Sequence, residues 1–160
     1  MTLARFIELW TSTDYPPERV TEVDLRNIEQ RLDFLLPDDY RRAVLETGLP
    51  RPTVALMDAI IERHLELNCL GDFYSPAEII EETVGWRAIG MPKSLVAFAS
   101  DGCGNKFCFD TDRLNRGGRE GRAIWFYDHD FGTVEQIAAT FDDWMDAFCQ
   151  VEPWSDVDPT

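Results

Sequence analysis

Apolar residues recur every three or four positions from Leu3 to Trp86 and again from Phe141 to Phe148, while between Leu95 and Ile137 they cluster in short runs. The first spacing is that of one helix face, and a short apolar run bounded by turn residues is a buried strand. Leu3, Phe6, Ile7 and Trp10 predict a first helix, ended by Tyr15-Pro16-Pro17. Thr21 is the expected cap of a second, with Asp24 as the acid of a capping box and Leu25, Ile28 and Leu32 on its apolar face. Leu35-Leu36-Pro37 starts a third. Pro37 suits its first turn, Asp38 and Asp39 lie at the positive end of the dipole, Tyr40, Val44 and Leu45 line its apolar side, and Gly48 stops it. Thr53 to His64 predicts a fourth, with Val54, Met57, Ile60 or Ile61, and His64 on one side. Ser75-Pro76-Ala77-Glu78 combines a capping box with a proline at the first helical position. The helix it opens runs to about Trp86, with Ile79, Ile80 and Val84 inward. Thr140 caps the last helix, whose stripe is Phe141, Trp144, Met145 and Phe148, and Pro153 ends it.

Between these helices lie the strands. Leu95 to Ser100 is a buried strand, and Asp101-Gly102-Cys103-Gly104-Asn105 is a turn whose residues tolerate positive φ. Lys106 to Asp110 returns antiparallel, with Phe107 and Phe109 on one face and Lys106, Cys108 and Asp110 on the other. Asp110 to Gly121 holds three glycines and reads as a loop. Ala123 to Asp128 is a third strand, apolar on both faces, which suits a central strand or one whose second face meets a partner or a second copy. Thr133 to Ile137 adds a short fourth. Helices first, then grouped strands, then a closing helix give an α+β fold with an antiparallel sheet flanked by several helices. The chain reads as a single domain over 1–160, with its core at about 21–149 and an acidic tail at 150–160; it carries no repeat.

A chain of 160 residues is long enough to bury a real core. Its net charge of −15 argues against nucleic acid and anionic membranes as partners, since both need a positive footprint. It favours a basic partner or simple solubility. The charge is uneven. From Ala123 to Thr160 there is no Lys or Arg, while Asp128, Asp130, Glu135, Asp142, Asp143, Asp146, Glu152, Asp156 and Asp158 fall there. No run spans a bilayer, and Glu8 interrupts the apolar start, so a cytoplasmic location with four reduced cysteines is the expectation.

Few residues offer chemistry. Asp101 to Asn105 reads as a binding loop or as a hairpin turn whose Asp and Asn bond their own backbone; it lacks the Lys and following helix of a phosphate cradle. In Asp128-His129-Asp130, strand alternation puts the two acids on one face and His129 on the other, which opposes a metal site. Cys103 and Cys108 lack C-x-x-C spacing, so no metal or cofactor is expected. A Cys103–His129 pair is the one conceivable nucleophile arrangement. Trp125, Tyr127, Trp144 and Trp154 are core residues by type, yet aromatics beside acids are also what interaction hot spots look like. His64 reads as a core or boundary histidine.

Three motifs, in order, resemble the SUKH superfamily, which contains a fungal cell-wall-assembly regulator and many bacterial immunity proteins. They are Leu36-Pro37-Asp38-Asp39-Tyr40 through Gly48; Phe98-Ala99-Ser100-Asp101-Gly102 with Gly104-Asn105 and Phe107 to Asp110; and Trp125 to Asp130 followed by Ala138-Ala139-Thr140-Phe141 and Trp144. The resemblance implies the same α+β fold and a protein without catalysis. It implies an immunity protein that neutralises a cognate toxin domain, often a nuclease, through an acidic surface, or alternatively a regulatory adaptor without a toxin partner. The candidate partner-binding residues are Asp101, Asn105, Asp110, Trp125, Asp128, Asp130, Asp142 and Asp146. The expected partner is a basic toxin domain, met by a monomer or a homodimer.

Overall fold

A computed structural model describes residues 2–112 and 122–154. Six helices are named here: α1 (Thr2–Trp10), α2 (Glu22–Leu32), α3 (Asp38–Thr47), α4 (Val54–Glu62), α5 (Pro76–Ala88) and α6 (Phe141–Cys149). The strands are β1 (Asp72–Phe73), β2 (Leu95–Ser100), β3 (Lys106–Asp110), β4 (Ile124–Asp128) and β5 (Thr133–Ala138). They form one antiparallel sheet in sequence order, β1 to β5. The α+β class and antiparallel sheet are those expected, and β4 is an internal strand. The glycine-rich loop expected after Asp110 falls from residue 113 to 121 outside the described residues, as does the tail from 155.

The helix starts form as the sequence dictates. Thr21 and Ser75 each accept a backbone N–H from the third residue of their helix, while Asp24 and Glu78 reach back to the cap N–H. Thr140 accepts from Asp143 N at 3.0 Å. Pro37 differs: it is the cap residue and α3 begins at Asp38, because the extended backbone at Pro37 places the chain outside the first turn. At the other end of α3, Gly48 has φ +83°, and a Cβ there would meet Glu18 O at 2.6 Å. Only glycine lets Leu49 and Glu18 exchange their backbone hydrogen bonds, both 2.8 Å, beside it.

One sheet face packs on α6 and on side chains of α1 and α3. Phe98 and Phe109 stack at 4.2 Å, Tyr40 closes on both, and Trp144 meets Phe98 and Phe107. Trp10 Nε1 donates to Phe148 O at 3.1 Å, so α1 is bonded to α6 as well as packed on it. Toward the other face lies α5, which also closes one sheet edge. Where β1 stops, Thr83 Oγ1 accepts from Ala97 N at 3.0 Å and Arg87 Nε donates to Leu95 O at 3.1 Å. Among the described residues no helix is long and apolar enough to cross a membrane.

Three expected helix faces hold in part: Tyr40, Val44, Ile60 and Ile79 are buried as expected, but at least one residue of each face is not. Leu45, Val54 and Val84 are exposed, whereas Ala43, Leu56, Ala59 and Thr83 are buried. In α4 and α5 apolar residues surround much of the helix, so periodicity does not fix the buried phase; packing does. His64 lies past the end of α4, at φ 53°, and is exposed. Trp154 is 55% exposed, covered on one side by Arg63, whose guanidinium lies 4.0 Å over its ring.

Candidate functional site

At one end of the sheet the β2–β3 and β4–β5 turns meet and are wired together by side-chain hydrogen bonds. Lys106 pairs with Tyr127 across β3 and β4, which brings Asn105 beside His129. Asp101 is buried and bonds within its own hairpin: Oδ1 accepts from Cys103 N at 2.7 Å and Asn105 N at 3.1 Å, and Oδ2 accepts from Asn105 Nδ2 at 2.8 Å. The turn reading of this loop therefore accounts for both Asp101 and Asn105. Asn105 Oδ1 in turn meets the second turn, accepting from His129 N at 3.1 Å and lying 2.7 Å from His129 Nδ1. His129 Nε2 lies 3.3 Å from Asp130 Oδ1.

Gly104 makes this closeness possible. Its φ is +96°, and a Cβ would lie 2.7 Å from His129 Cε1. Gly104→Ala is expected to cost about 1–3 kcal/mol, since a left-handed side chain and a displaced imidazole add strain at one point. Urea unfolding measures it; a loss under about 0.5 kcal/mol would mean that the two turns separate without penalty.

The acids around His129 differ from the strand expectation. β4 ends at Asp128, and the chain turns there, so ligand atoms of Asp128, His129 and Asp130 lie within 4.8 Å of one another. Alternation fails because it holds only within a strand. Asp128 Oδ1 is already engaged, accepting from Asp130 N at 2.9 Å and Phe131 N at 3.3 Å, so the group is a side-chain-capped turn. Cys103 is exposed at the hairpin tip, and among the described residues no hydrogen bond joins it to His129. Burial pushes the Cys108 thiol far up, which makes it a poor nucleophile.

Beneath these turns lies a buried cation. Lys106 Nζ donates to Tyr74 Oη, stands 3.5 Å from Glu82 Oε2 and sits 4.8 Å from the Trp86 ring centroid. Trp86 donates its Nε1–H to the same Glu82 oxygen at 3.0 Å and meets the His129 ring edge-on. The sequence placed Lys106 on a polar strand face; that face is covered by α5, and a lysine fits because its stem is apolar and its head finds an acceptor, a carboxylate and a π face.

The eight candidate residues do not form one patch. Asp101, Asn105, Asp128 and Asp130 share the wired end. Asp110 lies at the opposite end of β3, opposite Leu95, and accepts from Asp112 N at 3.1 Å. Trp125 is half-buried in mid-sheet, across from Cys108 and Gln136. Asp142 accepts from Thr2 Oγ1 at 2.8 Å and its N–H donates to Asp39 Oδ2 at 3.2 Å. Burial pushes the Asp39 carboxyl up, an effect opposed by backbone N–H donors of which that of Asp142 is the strongest. Asp146 is exposed on α6 and accepts from Gln150 Nε2 at 2.8 Å.

A separate groove of about 280 Å³ lies between β5, α6 and the segment around Leu67. Glu66, Glu135 and Asp143 stand on it, with Leu67, Ile137 and Ala147 among its apolar walls. Glu135 and Asp143 belong to the acidic run noted in the sequence, but Glu66 carries no local signal; only the fold brings it beside them.

A search of curated proteins found no match. Residues 19–147 match the family described as SMI1 / KNR4 (SUKH-1), which covers the capped α2, the α3 motif, the hairpin, β4, β5 and most of α6. That family includes toxin immunity proteins. The chain belongs to the SMI1 / KNR4 family, the SUKH-1 group.

Proposed function

We propose that this protein is an immunity protein, which binds a basic toxin domain and blocks it without chemistry of its own. The observation that carries the reading is the charge asymmetry on a SUKH-1 fold: Asp130, Glu135, Asp142, Asp143 and Asp146 are exposed, and no Lys or Arg occurs from Ala123 onward. Exposed acids in excess over cations produce a negative field that steers a basic partner into contact, even though Arg42 shares a pocket with Asp142. The wired turn supports binding rather than catalysis, because both His129 ring nitrogens face oxygens of Asn105 and Asp130 and neither is bonded to the Cys103 thiol.

The test is calorimetry and stopped-flow binding against the toxin domain encoded beside this gene, at low and high ionic strength. Tight binding is expected, with an association rate falling about tenfold or more as salt screens the exposed acids. No association at micromolar protein, or a gene with no toxin neighbour, would transfer the protein to the regulatory side of its family.

A further inference from the structure

The two edges of the sheet are treated differently. On one, β1 pairs with β2, and beyond it Thr83 and Arg87 of α5 bond the β2 backbone. On the other, β5 pairs with β4 alone among the described residues, and all six of its residues are at least partly exposed. Proteins blunt an open edge with charged side chains, above all Lys, with Pro or with a bulge. The sequence of β5, Thr133-Val-Glu-Gln-Ile-Ala138, has neither Lys nor Pro, and the one register shift in its pairing falls at its end, opposite Ile124 and Trp125. The one charge on it, Glu135, opposes an acidic strand but leaves the edge open as a template for a basic one.

Beside that edge runs the groove of Glu66, Leu67, Glu135, Ile137 and Asp143. It contains no Lys or Arg. A second hollow of about 430 Å³ continues from Glu66, Leu67 and Ala147 to Val151 and Glu152; Arg63 stands on its wall, with its guanidinium donating to Glu152 O at 2.6 Å. Apolar walls under carboxylates suit a long basic side chain, whose stem lies on the walls while its head reaches the acids. Among the described residues neither Glu66 nor Glu135 carries a side-chain hydrogen bond or ion pair, so both carboxylates stand ready for an incoming cation.

We propose that the open edge of β5 and this groove form one docking surface for an extended basic segment of a partner, which adds to β5 as a sixth strand and lays an Arg or Lys in the groove. A second copy of this chain fits poorly, since edge-to-edge pairing about a two-fold axis would bring two Glu135 carboxylates together between molecules each of net charge −15. The inference rests on the binding reading above but names a location that reading does not need.

The experiment separates the two. The isotope-labelled protein is titrated with a blocked hexapeptide alternating valine and arginine, then with one alternating valine and threonine, and amide shifts are mapped by NMR. The expected result is shifts centred on Val134, Glu135 and Gln136, intermolecular contacts to β5, weaker binding by the uncharged peptide, and loss of about tenfold or more in affinity in Glu66→Lys/Glu135→Lys. Shifts scattered over the acidic surface, or unchanged in the double variant, would overturn the docking surface. The neighbouring toxin domain supplies the second arm. If it binds wild type and double variant equally, the docking surface is wrong and the immunity reading stands. If it does not bind while the peptide seats on β5, the immunity reading fails and the docking surface stands.

Discussion

Trp144→Ala is expected to lower the free energy of unfolding by about 3–5 kcal/mol, the usual loss for truncating a fully packed aromatic. Trp144 is 3% exposed, and its ring meets Phe73, Phe98, Phe107, Phe141 and Phe148 at centroid distances from 4.8 to 6.0 Å. Through Phe73, Phe98 and Phe107 this ring joins α6 to three strands. Alanine leaves a cavity that five rings cannot collapse to fill, because Phe98 is already stacked on Phe109 and Phe107 is tilted against Phe126. Since domains of ordinary stability hold only about 5–15 kcal/mol, the variant should sit near the edge of folding. Trp154→Ala is the matched control. That ring is half-exposed and, among the described residues, its ring contact is with Arg63, so about 0.5–1 kcal/mol is expected from the exposed cation–π contact. Urea unfolding of both variants decides: a Trp144→Ala loss no larger than that of Trp154→Ala would mean that α6 is not anchored through this ring. The consequence reaches the surface, because Asp143 and Ala147 wall the groove from the same helix.

The sequence carries its strongest information where a residue type has one job. Ser75-Pro76 and Thr21 mark helix starts by chemistry that no packing can change, and both capping boxes form. Phe141, Trp144, Met145 and Phe148 mark a buried stripe because α6 is polar elsewhere, and all four are buried. The hairpin turn is legible because Asp101 and Asn105 are the residues such a turn needs. What was illegible lies between elements. The phase of α4 was hidden by apolar residues on nearly every side. The His129 link to Asn105 depends on the register of β3 against β4, which alternation does not supply. Glu66 joins Glu135 and Asp143 across long sequence separations, so no local pattern announces the groove. Acidity gave the kind of partner to expect, and only the fold separated the acids into distinct surfaces.

Lys106→Met is expected to change stability by less than about 1.5 kcal/mol, while Lys106→Ala should lose about 2–5 kcal/mol. The sign rests on what a buried cation gains. Lys106 is 4% exposed, and its head is held by Tyr74 Oη, by Glu82 at 3.5 Å and by the Trp86 face. Removing an ammonium from water costs several kcal/mol, and a long contact to one half-exposed carboxylate with the Trp86 face, and the Tyr74 ring 5.2 Å away, offsets that cost without a large surplus. A methionine of similar length keeps the packing, frees Glu82 to meet water while still accepting from Trp86, and leaves the Tyr74 hydroxyl as the one group seeking a new partner. Alanine keeps none of the stem and opens a cavity between β3 and α5. Glu82→Ala completes the series: it strips the carboxylate from a cation that cannot leave, and about 1–3 kcal/mol should be lost even though Glu82 itself is half-exposed. The three variants are read by urea unfolding with the slope held in common. Methionine as costly as alanine would mean that the charge itself, and not the volume of the stem, holds α5 against the sheet; the turn joined to Trp86 through His129 would then depend on that charge as well.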